Sequence, residues 1–309
     1  MAVVINTNVD SLKIQSLLSS STSKMSSSMQ KMSSGLKILS AKDDAAGTVI
    51  SAKMKVQLNG NQIAQKNVQN ANALLSTAEG NLDVVQDNIS RIRDLTLQAK
   101  NGTYSDEEIK AMQDEVDQRI KEIDRINNSA TYSSLRLFGD GGDTPAGLAK
   151  DGATFQVGAD AGVNNTIEAG KELFAKVTFS AMTGTTGFSL KSIKAAGDTT
   201  TSGTEGFNHG ITAQTDDNMF DVAIRSLDKA IDDITNRKSI IGSAGNRMDS
   251  ALSTLTTQFE NLSSAKSIIT DADVASEASN FTQQQILQQV STSLLAQANQ
   301  APSIALSLV

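Results

Sequence analysis

The stretch FDVAIRSLDKAIDDITNRKSIIGSAGNRMDSALSTLTTQFENL, residues 220–262, carries the clearest hydrophobic period of this 309-residue chain. Apolar residues recur there every seven positions, and a second apolar position fills most of the repeats. The two sets are Phe220, Leu227, Ile234, Ile241, Met248, Leu255 and Leu262, and Ile224, Ile231, Leu252 and Phe259. Lys238 and Gly245 interrupt the second set. A sustained heptad pattern of this kind predicts one long coiled-coil helix.

A matching seam lies upstream, where small and branched apolar residues alternate by four and three. It consists of Ala64, Val68, Ala71, Leu75, Ala78, Leu82, Val85, Ile89, Ile92, Thr96 and Ala99. Gly60 and Gly80 each weaken such a helix by about 1 kcal/mol relative to Ala, so tertiary contacts must compensate. Asn101-Gly102 predicts its end, and Ser105 with Glu108 predicts a capping box that starts a third helix. Three helices with compatible seams predict a bundle.

Composition excludes several classes of function. The net charge of −7 and the pI of about 4.9 argue against a protein that binds nucleic acid by neutralising phosphates. With no Cys and a single histidine, His209, the chain cannot build thiolate chemistry, a Cys-based zinc site or a His–His metal site. No window approaches 18 consecutive apolar residues, so no membrane insertion is predicted. We expect no cofactor, no metal and no enzymatic activity.

Residues 139–210 differ from the helical arms because they are rich in glycine. Two segments, Phe155-Gln156-Val157 and Lys176-Val177-Thr178-Phe179, alternate like short strands. The acidic pair Asp140 and Asp143 lacks the spacing of a calcium loop and is interpreted as a turn. The stretch is therefore predicted to be a small β-rich insertion, which makes the fold mainly α.

Both chain ends carry apolar stripes on an almost neutral background. The stripes consist of Ile14, Leu18, Met25, Met29, Met32, Leu36 and Leu39 at one end and of Leu287, Val290, Leu294, Ala301, Ile304 and Leu308 at the other. No charged residue follows Glu277. A polar face of Ser, Gln and Asn suits a surface that is packed on several sides. The alternative is a disordered polar tail, which we expect of the free monomer but which does not explain the heptad spacing.

Several motifs resemble the signatures of bacterial flagellin, in the expected order. They are SGLKILSAKDDAAG (34–47), Phe155-Gln156-Val157-Gly158-Ala159 with Asn165-Thr166-Ile167, Asp271-Ala272-Asp273 with Glu277, Gln285-Ile286-Leu287, and LAQANQ (295–300). The chain departs from that family at three points. Leu39 stands where Asn is usual, Ile268-Ile269 where Arg-Ile is usual, and the terminal Arg is missing.

The resemblance implies a secreted, self-polymerising subunit of the flagellar filament, exported by the flagellar type III route. It implies an elongated helical bundle at 43–263, with the insertion at about 139–210, and a terminal coiled-coil domain in which 1–42 pairs with 264–309. It also implies other copies, an export chaperone, and the filament cap and hook-junction proteins as partners. The expected assembly stripe is Met25, Met29, Met32, Leu36, Leu39, Leu287, Val290, Leu294, Ile304 and Leu308. The chaperone candidates are Ile286, Leu287, Val290 and Leu294.

Residues 89–95 resemble the family segment recognised by the host Toll-like receptor that senses flagellin. The resemblance places the anchors on Arg91, Leu95 and Glu115. Arg91 and Leu95 are i, i+4 neighbours and could present a guanidinium beside an apolar patch. The alternative is that Leu95 merely widens the core-facing stripe and that Arg91 is a solvated charge.

Three other functions compete with the filament subunit. A hook–filament junction protein shares both terminal patterns and is also non-enzymatic, but would not polymerise into long filaments. A type III-exported coiled-coil protein would stay soluble and bind a different partner through the 220–262 heptads. A metallopeptidase insertion would need an HExxH motif, which the chain lacks.

Overall fold

The computed structural model describes residues 8–139, 148–184, 188–190 and 219–307, with side chains as far as residue 300. Its helices are α1 (Val9–Ser34), α2 (Ala45–Lys100), α3 (Asp106–Ser129), α4 (Phe179–Thr183), α5 (Met219–Thr270) and α6 (Val274–Ser307). Its strands are β1 (Thr131–Tyr132), β2 (Leu135–Arg136), β3 (Ala153–Gln156) and β4 (Thr166–Ala169). The predicted mainly α class is confirmed. His209, Asp140, Asp143 and Leu308 lie outside the described residues.

The chain divides into two compact units. Residues 1–59 with 258–309 form the terminal unit, and residues 60–257 form the bundle unit. Both boundaries fall inside long helices, α2 and α5, so the division at 42/43 and 263/264 stays a prediction about the assembled protein. Within the described residues, no helix is long and apolar enough to cross a membrane.

The core of the bundle unit consists of the seams that the sequence predicts. All eleven predicted seam residues of α2 are buried, from Ala64 to Ala99. The α5 residues Phe220, Leu227, Ile234, Ile241, Met248 and Leu255 are buried as well. Helix α3 begins at the predicted capping box, with Ser105 accepting from the Glu108 amide, and buries Ile109, Val116 and Ile123. The predicted coiled-coil pattern is therefore confirmed in this unit.

A ladder of four polar contacts joins α2 to the antiparallel α5. Its members are Asn72–Asp249 (2.9 Å), Asp83–Lys238 (2.5 Å), Arg93–Asp228 and Lys100–Asp221 (2.5 Å). Each step forward along α2 is matched by an equal step backward along α5, so all four contacts belong to one register. A slide by one heptad would place Asp83 opposite Ile231 or Gly245 and leave it unpaired. The ladder therefore fixes the relative position of the two helices.

Short β elements cover one part of the bundle core. Strand β3 pairs antiparallel with β4, with Phe155 opposite Ile167. The strand predicted at Phe155–Val157 is therefore confirmed as far as Gln156. The predicted strand at Lys176–Phe179 is wrong. There the Val177 amide donates to Asn127 Oδ1 of α3, and the Thr178 hydroxyl accepts from Ala181 to cap α4. The Thr178 carbonyl also accepts from the Ala181 and Met182 amides, so the Val177 amide and the Thr178 carbonyl are not available for a strand ladder.

In the terminal unit, α1 runs antiparallel to α6. Asn8 Nδ2 donates to the Ala298 carbonyl at 2.8 Å, near one end of the pair. Gln288 Nε2 donates to Thr22 Oγ1 at 3.3 Å in the middle. Lys31 Nζ lies 3.8 Å from Glu277 Oε1 at the other end. The two chain ends thus pair as helices.

The connections at the base of this helix pair are joined to each other. Gly35 ends α1 in the left-handed conformation, with φ of 70°, and its carbonyl accepts from the Ala272 amide at 2.9 Å. The Lys37 amide donates to the Thr270 carbonyl at 2.8 Å. Between these two hydrogen bonds, Leu36 and Asp271 form an isolated antiparallel β-bridge. The flagellin-like signature residues at 34–47 and 271–273 therefore meet.

Candidate interaction surface

The seam between α1 and α6 is closed by small polar side chains. Among the described side chains of this pair, the buried residues are Ser21, Ser28 and Ser291. Larger residues beside them are only half-buried, namely Ile14, Leu18, Met25 and Met32 on α1 and Phe281, Gln284, Gln288 and Leu295 on α6. Small residues at a seam let two helices approach closely. These serines occupy heptad positions of the two helices. A search for apolar residues alone does not find them, although they continue the four–three spacing of their neighbours.

The predicted C-terminal stripe lies on another face of α6. Ile286, Leu287, Val290 and Leu294 are 55%, 36%, 48% and 43% exposed. On the N-terminal side, Met25 and Met32 belong to the intramolecular seam, whereas Met29, Leu36 and Leu39 are exposed. The side chain of Ile304 lies outside the described residues. We call Ile286, Leu287, Val290 and Leu294 the outward stripe.

The outward stripe is part of a concentration of exposed apolar residues in the terminal unit. Within the described side chains, fifteen of the twenty large apolar residues that are exposed belong to this unit. Three of them, Val49, Ile50 and Val56, lie on the first turns of α2 and were not singled out by the sequence pattern. Large exposed apolar patches mark surfaces that bind other molecules. The terminal unit is therefore the candidate interaction surface.

Electrostatics favours close packing on this surface. Helix α6 carries Glu277 in its first turn and no charged residue after it. Burying a charge against a partner is costly because the charge loses its water, whereas Gln, Ser and Thr lose much less. A neutral helix can therefore be packed on more than one side. Among the described residues, no group of His, Asp and Glu is arranged to hold a metal ion.

The predicted receptor residues separate in the structure. Arg91 Nε and Nη2 donate to the Glu115 carboxylate at 2.9 and 3.3 Å, and Arg119 also donates to it, at 3.1 Å. The hydrogen bonds from Arg91 lower the pKa of Glu115, and those to Glu115 raise the pKa of Arg91. Leu95 is only 2% exposed and belongs to the core.

The expectation that Leu95 offers an exposed apolar patch beside Arg91 is therefore wrong for this structure. Its position continues the buried stripe of Ile92 and Ala99, as the alternative interpretation held. Arg91 and Glu115 remain at the surface, with side chains 47% and 36% exposed.

Comparison with known proteins agrees with this architecture. The family model for the bacterial flagellin N-terminal helical region matches residues 5–142, and the model for the C-terminal helical region matches residues 224–309. The flagellin of Bacillus subtilis is 34% identical over 314 residues, covering 99% of both chains. The flagellar filament 30.7 kDa core protein of Treponema maltophilum is 33% identical over 297 residues, covering 96% of each.

Among solved structures, a protein described as flagellar hook-associated, from Vibrio parahaemolyticus, has a TM-score of 0.54. It shares 17% identity and covers 74% of this chain and 99% of its own. That likeness shows the fold alone, whereas the two family models and the full-length relatives define the family. The chain belongs to the bacterial flagellin family.

Proposed function

We infer that this flagellin, a structural subunit of the flagellar filament, joins other copies of itself through the outward stripe and the exposed apolar residues around it. The observation that carries this inference is that two sides of α6 have different surroundings. Its serine-lined side closes the chain's own helix pair, and its more apolar side faces solvent. We expect both ends of the chain to become fully ordered only on assembly, when neighbouring copies cover their exposed apolar residues.

A second copy is the occupant that fits this surface best. The stripe offers Ile, Leu and Val on a part of α6 that carries no charged residue, so a matching partner surface should also be apolar and neutral. The terminal unit of another copy presents exposed apolar residues of this kind, on its own outward stripe and on the first turns of its α2. One of the relatives with full-length similarity is named a flagellar filament core protein, which agrees with this choice.

The test is seeded growth of filaments by wild type and by Val290→Gln. Val290 is 48% exposed, and Gln is a good helix former, so the variant should keep the fold of the monomer. Val290 is already half-buried in the monomer, so losing the apolar area that only assembly buries should cost about 0.8–1.5 kcal/mol, and the critical concentration should rise about four- to twelvefold.

Val290→Leu is the matched control because it keeps an apolar side chain at the same position. It should extend seeds like wild type. Equal growth by Val290→Gln and Val290→Leu would contradict the proposed role of the stripe, provided that both variants melt like wild type.

Before export, we propose that a dedicated chaperone covers the outward stripe. An exposed apolar helix without charges is an aggregation hazard at cytoplasmic concentrations. A helix that lies in an apolar groove is a common form of such recognition. Binding of the flagellin export chaperone, measured by calorimetry, should weaken in Ile286→Gln with Leu294→Gln. Unchanged affinity would contradict the proposal. The filament cap and hook-junction proteins are proposed partners at the two filament ends.

For the host receptor, we propose that recognition uses the exposed Arg91–Glu115 pair. In a reporter assay on monomers, Arg91→Ala and Glu115→Ala should each cost about 2 kcal/mol, or about thirtyfold in potency. Leu95→Ala tests something else, because truncating a buried Leu costs about 2–5 kcal/mol of folding stability. If both surface variants signalled as strongly as wild type, the proposal would be contradicted.

A further inference from the structure

The sequence contains two Asn-Gly dipeptides, and the structure places them in opposite environments. Asn59-Gly60 lies inside α2, whereas Asn101-Gly102 follows directly after the last residue of that helix, Lys100. Asn-Gly is the dipeptide in which the following backbone nitrogen reaches the Asn side chain most easily, because glycine has no Cβ to obstruct it. Whether that reaction proceeds depends on the freedom of the backbone.

At Asn101-Gly102 the backbone is accessible. Both residues are exposed and lie in a turn outside the helices. A Cβ built on Gly102 would meet nothing within 4 Å, so no neighbour confines the segment. The segment can therefore rotate the Asn101 side chain towards the Gly102 amide.

At Asn59-Gly60 the backbone is held. The Gly60 amide is committed to the carbonyl four residues earlier in the helix. Gly60 also packs so closely on Ala159 that a Cβ would lie 2.7 Å from the Ala159 Cβ and 3.1 Å from its Cα. A ring that needs the Gly60 nitrogen would have to break the helix locally.

We propose that Asn101 is a site of spontaneous deamidation and that the fold protects Asn59. The deprotonated Gly102 nitrogen attacks Asn101 Cγ, a new C–N bond closes a succinimide ring, and the side-chain amide leaves as ammonia. Water then opens either carbonyl of the ring and yields aspartate or isoaspartate. The only co-reactant is water, and no oxidation or reduction takes place.

The modification puts a negative charge at a sensitive place. Residue 101 follows the C-terminal end of a 56-residue helix, where the helix dipole disfavours an anion. The neighbouring Lys100 Nζ lies 2.5 Å from Asp221 Oδ1 and forms the last contact of the ladder between α2 and α5. A new carboxylate next to Lys100 competes with Asp221 for the same ammonium group. Deamidation therefore weakens that end of the ladder as the protein ages.

The experiment incubates the folded full-length protein at mildly alkaline pH and maps its peptides by mass spectrometry over time. We expect deamidated product to accumulate at residue 101 and not at residue 59. In a parallel sample unfolded in urea, both sites should convert, since each is an Asn-Gly dipeptide and neither is then held by the fold. Equal conversion at the two sites in the folded protein, or an intact Asn101 beside a converted Asn59, would overturn the proposal.

Gly102→Ala provides a variant that should fold normally, because its Cβ enters open space and Gly102 does not have a left-handed φ. The added methyl group hinders attack by the residue 102 nitrogen, so conversion at Asn101 should be lost or much slower. Gly80→Ala, which also adds a Cβ in open space, is the matched control and should deamidate at residue 101 like wild type. Unchanged conversion in Gly102→Ala would show that the ring does not form through this nitrogen.

Discussion

Gly60 of α2 lies against Ala159, and the absence of a side chain on Gly60 is what permits this contact. A Cβ on residue 60 would come within 2.7 Å of the Ala159 Cβ and 3.3 Å of its carbonyl oxygen. The contact brings the loop after β3 directly onto the helix. The helical cost of this glycine is therefore offset by packing, as the sequence required. Gly80, twenty residues further along the same helix, has open space around its Cβ position, and nothing in the structure explains it.

Gly60→Ala and Gly80→Ala should therefore change stability in opposite directions. At Gly80 the substitution should stabilise the protein by up to about 1 kcal/mol, because it removes only the backbone entropy of glycine. At Gly60 the gain should be exceeded by a clash with the backbone of Ala159, for a net loss of about 1–2 kcal/mol. Urea midpoints followed by circular dichroism would measure both. A shift of the same sign in the two variants would contradict the close contact.

Lys238→Glu should destabilise the bundle unit, which would be measured as a lower urea midpoint. The Lys238 ammonium bonds to Asp83, which raises the pKa of Lys238, and it is also attracted by Glu79 and Asp87 on the same helix. A Glu at this position would face three carboxylates. Lys66→Glu, on an exposed face of α2, is the control. The difference between the two variants should shrink in high salt, and a difference that persists there would point to packing instead.

The turn between β1 and β2 should accept a more favourable sequence. Ser133 and Ser134 have φ of 47° and 72°, so two residues with Cβ atoms adopt the left-handed conformation at the centre of a two-residue hairpin. Asn-Gly is the preferred pair for such a turn. Ser133→Asn with Ser134→Gly should raise stability by about 0.5–1 kcal/mol, measured as a urea midpoint. Ser133→Val should lower it, and a neutral result in both variants would mean that the turn relaxes.

Acid should weaken the base of the terminal unit. The backbone amide and the hydroxyl of Ser40, together with the backbone amide of Leu39, donate to Asp43 and hold its pKa below the ordinary value of 3.8. The hydroxyls of Ser267 and Thr270 lower the pKa of Asp271 in the same way. Because the folded pKa is lowered, the carboxylates stabilise the fold above the ordinary pKa. That contribution is lost as the pH falls through the folded pKa, in the window below about pH 4.

The measurement is the helix content and urea midpoint between about pH 6 and pH 2. Asp43→Asn keeps an acceptor oxygen but cannot titrate, so its midpoint should fall less over this range than that of wild type. An equal fall in both proteins would show that other carboxylates, such as Glu115, govern the acid response.

Sequence periodicity predicted the bundle unit well because one physical rule decides its burial. Residues such as Val68, Leu82 and Ile89 are apolar, lie at heptad spacing and have a partner seam within the same chain, so pattern and burial coincide. The ends and caps of the helices were predictable for a similar reason, because they depend on residues adjacent in sequence. Asn101 follows the end of α2, and the reciprocal bonds of Ser105 and Glu108 begin α3.

The same rule failed where burial depends on which partner is present. Val290 and Ser291 are neighbours on α6, yet the serine is 1% exposed and the valine 48%. Hydrophobicity alone would order them the other way. The prediction of a strand at Lys176–Phe179 was wrong for a related reason. The Val177 amide donates a hydrogen bond to Asn127, which is fifty residues away in the sequence. Neither outcome follows from the hydrophobicity of the local sequence alone.

The register ladder between α2 and α5 also has a mechanical meaning. A filament that drives swimming carries torque, and a load along one helix acts as shear on the contacts with its neighbour. Since Asn72–Asp249, Asp83–Lys238 and their two companions share one register, a slip would have to strain all of them together. Two rods that lie side by side, such as α2 and α5, bend less under load when they cannot slide past each other. Contacts that are individually weak thereby add stiffness to each subunit.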